Sequence, residues 1–388
     1  MKEKFVIDTN VIMQDAYCTN KIGGSIYIPL TVLEELDNHK TDKAEKGRNI
    51  REFARLVDKE KLDNVEFVDH RDDFFADQTN DDRIILSAEK LGATLVTNDI
   101  LMAIKARTQG IKTQRYDGGV TNSDEVYTGI LDARGKEIDE SKLCQNQYLL
   151  SDEGLFRKVG NRVKRLNKDR DVFGVRHRNM EQKCAIDALL NDDIQLVTIS
   201  GKAGTGKTLL AIAAGLHKAI EEQKYKRLLV SRPIVPMGND IGFLPGDVNE
   251  KLGPWMQPIF DNIDYLFNTD GKKKGFDAYA ELEKEGILKV EALTYIRGRS
   301  IPDHYIIIDE AQNLSKHEVK TIISRAGERT KIIMTGDPAQ IDNPKLDSIN
   351  NGLSYVIEQF KDEKIAAHVT LTECERSELA DRAADILW

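Results

Sequence analysis

Residues 195–214 read Gln195-Leu196-Val197-Thr198-Ile199-Ser200-Gly201-Lys202-Ala203-Gly204-Thr205-Gly206-Lys207-Thr208-Leu209-Leu210-Ala211-Ile212-Ala213-Ala214. A short apolar run, long enough for one buried strand, leads into a glycine-rich turn, and a strong helix pattern follows. The middle satisfies G-x-x-x-x-G-K-[ST]. Strand, glycine loop and helix in that order are the setting in which this pattern has a mechanism. Glycines let the backbone N–H groups of Gly201 to Thr208 curl around phosphate oxygens, and the helix start adds partial positive charge. Lys207 is expected to reach the β- and γ-phosphates of ATP, and the Thr208 hydroxyl to ligate Mg²⁺. A purely structural glycine turn is the weaker reading, because so many parts agree.

Two further strands end in polar residues. Tyr305-Ile306-Ile307-Ile308 runs into Asp309-Glu310-Ala311-Gln312-Asn313. Asp309 suits the Mg²⁺ shell and Glu310 suits polarising the attacking water. Charge at the end of a buried strand is costly unless a metal or a partner compensates it. Ile332-Ile333-Met334-Thr335 leads into Gly336-Asp337-Pro338-Ala339-Gln340-Ile341-Asp342. Gln340 is a candidate sensor of the γ-phosphate, while Asp337 fits better as an orienter of its loop. Gln182 precedes the glycine-loop strand by one helix, and its amide could read adenine as donor and acceptor together; a plain surface glutamine is the competing reading. Arg376 is a candidate arginine finger, although Glu373 and Glu375 beside it offer ordinary ion pairs.

The ordered set resembles the PhoH-like ATPases, relatives of the superfamily-one helicase core, over residues 176–388. It rests on Gly201 to Thr208, Ser231-Arg232-Pro233, Gly242-Phe243-Leu244-Pro245-Gly246-Asp247, and Arg297-Gly298-Arg299 leading into Asp309-Glu310-Ala311-Gln312-Asn313. Thr335-Gly336-Asp337 and Gln340-Ile341-Asp342 complete it. The resemblance implies a RecA-like P-loop domain, ATP hydrolysis, action on RNA as a helicase or translocase, and a homo-oligomeric ring, a hexamer. It also strengthens Gln182 and Arg376 as site residues.

The first 117 residues alternate strands with helices in the same manner. Phe5-Val6-Ile7 reads as a buried strand ending at Asp8. Ile26 to Leu30 is a second, followed by a helix through Leu33 and Leu36 that carries Glu35. Asp81 and Asp82 open an amphipathic helix through Ile84, Ile85, Ala88 and Leu91. Thr94 to Thr97 is a third strand, stopped by Asn98-Asp99. The pattern implies a parallel sheet covered on both faces, with the strands' carboxyl ends on one edge, where sites gather. Clustered carboxylates there repel one another, and a hard divalent cation is the remedy. Each acid also has an ordinary reading: Asp81 as a helix N-cap, Glu35 as a solvated helix charge. Asp8 with Asn10, Glu35 before Leu36, Asp81 before the Ile84 helix, and Thr97 with Asp99 resemble, in order, the acidic set of a PIN domain. That implies a three-layer α/β nuclease with Asp8, Glu35, Asp81 and Asp99 as catalytic and metal-binding residues, using Mg²⁺ or Mn²⁺ to cut RNA internally. PIN fused to a PhoH-like ATPase is a known family architecture.

Between the halves, residues 118–175 are punctuated by glycines and read as a small β-rich connector. It ends in a basic run of Arg157, Lys158, Arg162, Lys164, Arg165, Lys168 and Arg170, for which a solvated helix face or linker and a nucleic-acid contact stand level. The expected domains are thus 1–117, 118–175 and 176–388. Formal net charge is -9, so nucleic acid must be met by local patches and not by a global field. Four scattered cysteines, no Cys-x-x-Cys pair, no signal peptide and no membrane-spanning apolar run fit a cytoplasmic protein. An ATP-driven RNA helicase feeding its own nuclease is the leading expectation. An ATP-gated RNA-binding switch with a PIN scaffold competes with it, and the residues alone do not exclude DNA as the substrate.

Overall fold

The computed structural model describes residues 3–41, 45–59, 64–71, 75, 78–116, 127–136, 138–166, 169–234, 248–269, 275–293, 300–344, 346–348 and 350–375. The chain divides into two compact units, Met1–Asp124 and Glu125–Trp388.

In the first unit, β1 (Lys4–Ile7), β2 (Ser25–Pro29), β3 (Val65–Val68), β4 (Thr94–Val96) and β5 (Thr113–Gln114) form one sheet in the order β3-β2-β1-β4-β5. Each pair of neighbouring strands is parallel. Among the described residues, six helices intervene: α1 (Thr9–Gln14), α2 (Cys18–Lys21), α3 (Leu30–His39), α4 (Glu45–Lys59), α5 (Asn80–Leu91) and α6 (Ile100–Thr108). Val6, Ile7, Ile26, Ile28, Leu95 and Val96 are fully buried. Each such aliphatic side chain contributes about 1.5–3 kcal/mol on leaving water. The strand order reverses direction between β1 and β4, and in open α/β sheets the crevice at such a switch point is where ligands sit. β3 was not foreseen: Val65-Glu66-Phe67-Val68 is a partly exposed edge strand that interrupts its apolar run with a glutamate.

The second unit opens with β6 (Ile130–Asp132), β7 (Tyr148–Ser151), β8 (Gly154–Val159) and β9 (Arg162–Arg165), a four-stranded sheet in that order. The basic run is therefore a β-hairpin and not a helix face. Arg157 and Lys158 are buried in it: Arg157 pairs with Asp187 at 3.1 Å, and the Lys158 ammonium donates to the Glu140 carbonyl at 2.7 Å. Lys168 lies outside the described residues.

The large sheet follows. Its strands are β10 (Leu196–Gly201), β11 (Arg227–Arg232), β12 (Leu288–Ala292), β13 (His304–Ile308), β14 (Lys331–Gly336) and β15 (Ala366–Leu371). Their order is β12-β11-β13-β14-β10-β15, all parallel. The helices are α7 (Met180–Leu190), α8 (Lys207–Leu216), α9 (Val248–Thr269), α10 (Gly275–Lys284), α11 (Lys316–Ile323) and α12 (Gly352–Phe360). The small sheet leans on β15: Thr370 N–H donates to the Thr128 carbonyl at 2.8 Å, and the Asn146 amide donates to Lys364 and Ala366 carbonyls. Lys331, at the start of β14, is fully buried and gives its ammonium to the carbonyls of Ala188, Asn191 and Ile194 at 2.7–2.9 Å. Three acceptors need three donors, which an ammonium has, and so the end of α7 is capped from inside.

Candidate active sites

The glycine loop leaves β10 at Gly201 and enters α8 at Lys207. Gly201 has φ +149°, and a Cβ there would meet the Leu371 carbonyl oxygen at 2.1 Å, so no side chain fits. Gly206, at φ +90°, is the residue from which α8 starts. The Lys207 ammonium folds over the loop onto the carbonyls of Gly201 (2.6 Å) and Lys202 (2.7 Å). The next residue, Thr208, donates its hydroxyl to Asp309 Oδ1 at 2.8 Å.

Asp309 follows β13 directly and is buried. The same Oδ1 receives a second hydroxyl, from the fully buried Thr335 on β14, at 2.7 Å. Glu310 sits at φ +53°, uncommon for a residue with a side chain, and such outliers cluster at functional positions. Burial first, and the Asp309 charge second, push its carboxyl above the usual range. Arg232 at the end of β11 pairs with it at 3.2 Å, and Gln312 donates to it at 2.6 Å. Gln312 is fully buried; it also donates to the Gln340 carbonyl (2.8 Å) and accepts the Asp337 N–H (3.1 Å). It thereby ties the Glu310 loop to the loop after β14. Asp337 holds that loop through the Ala339 N–H at 3.0 Å, whereas the Gln340 side chain is exposed. No local motif assigns a role to Thr335, Gln312 or Arg232; their work is to hold Asp309 and Glu310 in place.

Gln182, in the first turn of α7, is buried. Its amide donates to the Thr205 carbonyl at 3.1 Å and accepts the Arg178 N–H at 2.8 Å. It is not the plain surface residue that competed for this position. Arg376, and with it Gly242 to Asp247 and Arg297 to Arg299, lies outside the described residues. The residue before it, Glu375, donates its N–H to the Gly204 carbonyl at 3.1 Å, and its carboxylate takes Asn179 (3.0 Å) and Arg178 (3.6 Å).

In the first unit the carboxylates meet at the switch point. Asp8 directly follows β1 and is buried; it caps α1 through the Thr9 N–H and accepts the Thr97 hydroxyl at 2.6 Å. Burial pushes Asp8 up to about 6 against those two bonds, and the charges of Glu35 and Asp81 add to the rise. Asp81 is raised as well, by burial and by Asp99 and Glu35. The four acids form one cluster around Asp8 and Asp81: Asp8 on the floor, Glu35 half-buried, Asp81 and Asp99 exposed at the rim. Glu35 accepts from the Thr9 hydroxyl and from Asn80 at 2.9 Å. Asp99 caps α6 through Leu101 and Met102 N–H. Asp81 is not the cap of α5. Thr79 is, in a reciprocal capping box with Asp82, and Lys105 pairs with Asp82. Asp82 is thus committed to helix structure and Asp81 is left facing the acids.

The donor chemistry fits hard divalent cations at both places: carboxylate and hydroxyl oxygens, with no thiol or imidazole among them. Thr208 and Asp309 lie one hydrogen bond apart, as two ligands of one Mg²⁺ must. Among the described residues of the acidic cluster, no three side chains yet converge on a single point that could hold an ion.

A glycine loop on a parallel sheet, with an Asp–Glu pair ending a strand two places away, defines a P-loop ATPase, and the first unit carries the acidic switch-point crevice of a PIN domain. Family comparison agrees. Residues 174–387 match the model of the PhoH-like proteins and residues 5–117 that of the PIN domain. The chain belongs to the PhoH-like family, with a PIN domain at its N-terminal end. It is 43% identical over the full length of both chains to Protein PhoH2 of Bacillus subtilis. It is 32% identical to Protein PhoH2 of Mycolicibacterium smegmatis, covering 99% of this chain and 96% of that one. The protein of the same name from Thermobispora bispora is 31% identical over the same shares. Among the described residues, no helix is long and apolar enough to cross a membrane.

Proposed function

We propose that this protein is an ATP-driven RNA helicase or translocase that passes RNA to its own metal-dependent PIN endoribonuclease. The observation carrying this reading is the four-acid cluster around Asp8. A scaffold gains nothing by holding like charges together, whereas a phosphodiesterase needs them. In the ATPase, Lys207 binds the phosphates and Thr208 and Asp309 hold Mg²⁺, which neutralises developing charge when bound. Glu310, a stronger base for its burial, orients the attacking water and takes its proton. Gln182 reads adenine, Gln340 senses the γ-phosphate, and Arg376 serves a neighbour's ATP in a hexameric ring. In the nuclease, Asp8, Glu35, Asp81 and Asp99 hold Mg²⁺ or Mn²⁺, which lowers the pKa of an attacking water when bound. The four cysteines are free, in keeping with a cytoplasmic setting.

The test is incubation of purified protein with labelled RNA and labelled DNA, with and without ATP and Mg²⁺. ATP-dependent unwinding of RNA, with cleavage lost in chelator and in Asp8→Asn, is expected. Nucleotide-dependent RNA binding without any cleavage would replace this reading by the gated-switch one.

A further inference from the structure

The second unit has a groove of about 760 Å³ on the side of its large sheet away from the glycine loop. The loop leaves the carboxyl ends of the strands. The groove lies instead where α7 ends at Leu190 and turns through Asn191–Asp193 into β10, and where α8 runs out past Leu216. Its other wall is made by Arg157, Lys164 and Arg165 of the β8–β9 hairpin together with Leu166 and Arg170. The volume is within the range of about 300–1,000 Å³ typical of binding clefts.

Charge in the groove is sorted. Arg157 is spent on Asp187 at 3.1 Å, Lys183 on Asp169 at 2.6 Å, and the buried Lys218 on Asp192 and Glu222 at 2.9 and 2.7 Å. Lys164, Arg165 and Arg170 are left, against one lining carboxylate without a basic partner among the described residues, Asp193: all three cations are exposed, all line the groove, and none has an acidic partner among the described residues. β9 is an edge strand, and basic residues on an edge also guard against strand pairing. That role explains charges that point into open solvent. It does not explain three cations gathered on one concave wall of a chain whose formal net charge is -9.

We infer that this groove is a binding site for the phosphodiester backbone of single-stranded RNA, with Lys164, Arg165 and Arg170 as the phosphate contacts. The inference rests on the proposed action on RNA and adds a surface in the second unit that is lined by none of the glycine-loop residues. The floor of the groove is the far end of α7, whose first turn grips the glycine loop through Gln182. One helix thus joins the RNA path to the nucleotide site.

The experiment uses the full chain and a fluorescent oligouridine, with affinity measured across a salt series. Each phosphate contact on a single strand contributes about 0.7 to the slope of log affinity against log salt. The triple variant Lys164→Ala, Arg165→Ala, Arg170→Ala should lower that slope by about 2 and weaken binding about a hundredfold at 0.1 M salt. Its ATP hydrolysis without RNA should match the parent, and so should its thermal melt. A control triple with the same loss of charge, Lys136→Ala, Lys142→Ala, Lys320→Ala, should bind like the parent. Unchanged affinity in the groove triple, or equal loss in the control, overturns the site while leaving action on RNA intact. Competition by uridine monophosphate at micromolar concentration would make it a mononucleotide pocket and overturn it too. A parent protein that binds no RNA overturns both the site and the function on which it rests.

Discussion

Replacing Thr335 by valine tests whether Asp309 is held by its neighbours or merely surrounded by them. Valine keeps the shape and the β-branch that a central strand favours, and it removes one hydroxyl. That hydroxyl is fully buried and 2.7 Å from Asp309 Oδ1, so what is lost is a hydrogen bond to a charged acceptor. Such bonds contribute about 1.5–3 kcal/mol. Asp309 keeps Thr208 at 2.8 Å on the same oxygen, but Thr208 is the residue that should ligate Mg²⁺ and cannot also fix the carboxylate. If half of the lost free energy falls on the hydrolytic transition state, kcat drops about three- to tenfold, at about 1.4 kcal/mol per decade. Steady-state hydrolysis across a Mg²⁺ titration should show a weaker half-saturation together with the lower kcat. Because Thr208 and Thr335 converge on one oxygen, Thr335→Val and Thr208→Val should couple by at least about 0.5 kcal/mol in a double-mutant cycle. A variant that loses stability yet keeps kcat and Mg²⁺ half-saturation would refute the argument, leaving Thr335 a core hydroxyl with no bearing on the metal.

Glu310→Gln should retain ATP affinity and lose turnover about a hundredfold or more, as single-turnover and equilibrium binding measurements would reveal. Asp8→Asn should abolish RNA cleavage while leaving ATP hydrolysis intact, and it should also alter the pH dependence of stability. Asp8 is raised from 3.8 to about 6, so the native state holds its proton more tightly than the unfolded chain. The burial penalty is absent below pH 4 and complete above 6, about 3 kcal/mol on this reckoning. In metal-free urea melts the variant should therefore gain on the parent between pH 4 and pH 7, and a constant difference would contradict the shift. Lys207→Ala and Arg376→Ala should each be inactive; unfolded together and reassembled, they should regain activity at about a quarter of ring interfaces. Background activity in a verified mixture would instead make Arg376 a residue of its own subunit's site, which the bond from Glu375 to Gly204 allows.

Much of this was legible because buried parallel strands read as unbroken apolar runs. Phe5-Val6-Ile7, Leu196 to Ile199, Tyr305 to Ile308 and Ile332 to Thr335 all lie in strands, and polar residues that follow them fall on the sheet edge where sites form. The glycine loop was legible because its geometry is local. The basic run stays open between two readings in the sequence for the opposite reason. Its strands alternate among long charged side chains, and Arg157 and Lys158 are buried only because distant residues, Asp187 and Glu140, receive them. The turn Val159-Gly160-Asn161-Arg162, with Gly160 at φ +60°, was the available signal of a hairpin. Thr335, Gln312 and Arg232 stand in the sequence motifs without a role because their roles are relations between strands far apart in sequence. No local pattern contains them until the strand order is known.

Once it is known, both sites turn on one arrangement. In the first unit β1 pairs with β4 so that Ile7 lies beside Val96, which sets Asp8 beside Thr97. In the second, β13 pairs with β14 so that Ile308 lies beside Met334, which sets Asp309 beside Thr335. Each aspartate follows its strand, each threonine is buried, and each hydroxyl donates across to the carboxylate, at 2.6 and 2.7 Å. A parallel register makes this possible, since neighbouring strands end on the same edge and a side chain just past one end can reach its counterpart. The arrangement answers a conflict that both chemistries face. A carboxylate meant for a metal must sit deep enough to be rigid, yet burial alone drives it towards the neutral acid, as the rise at Asp8 shows. A single donated hydroxyl favours the charged form and fixes the rotamer while leaving the other oxygen lone pairs for an ion. An amine in its place would bring a positive charge that competes with the metal. The same threonine–aspartate pair therefore appears on two sheets of different strand order, and in both it holds one buried carboxylate still.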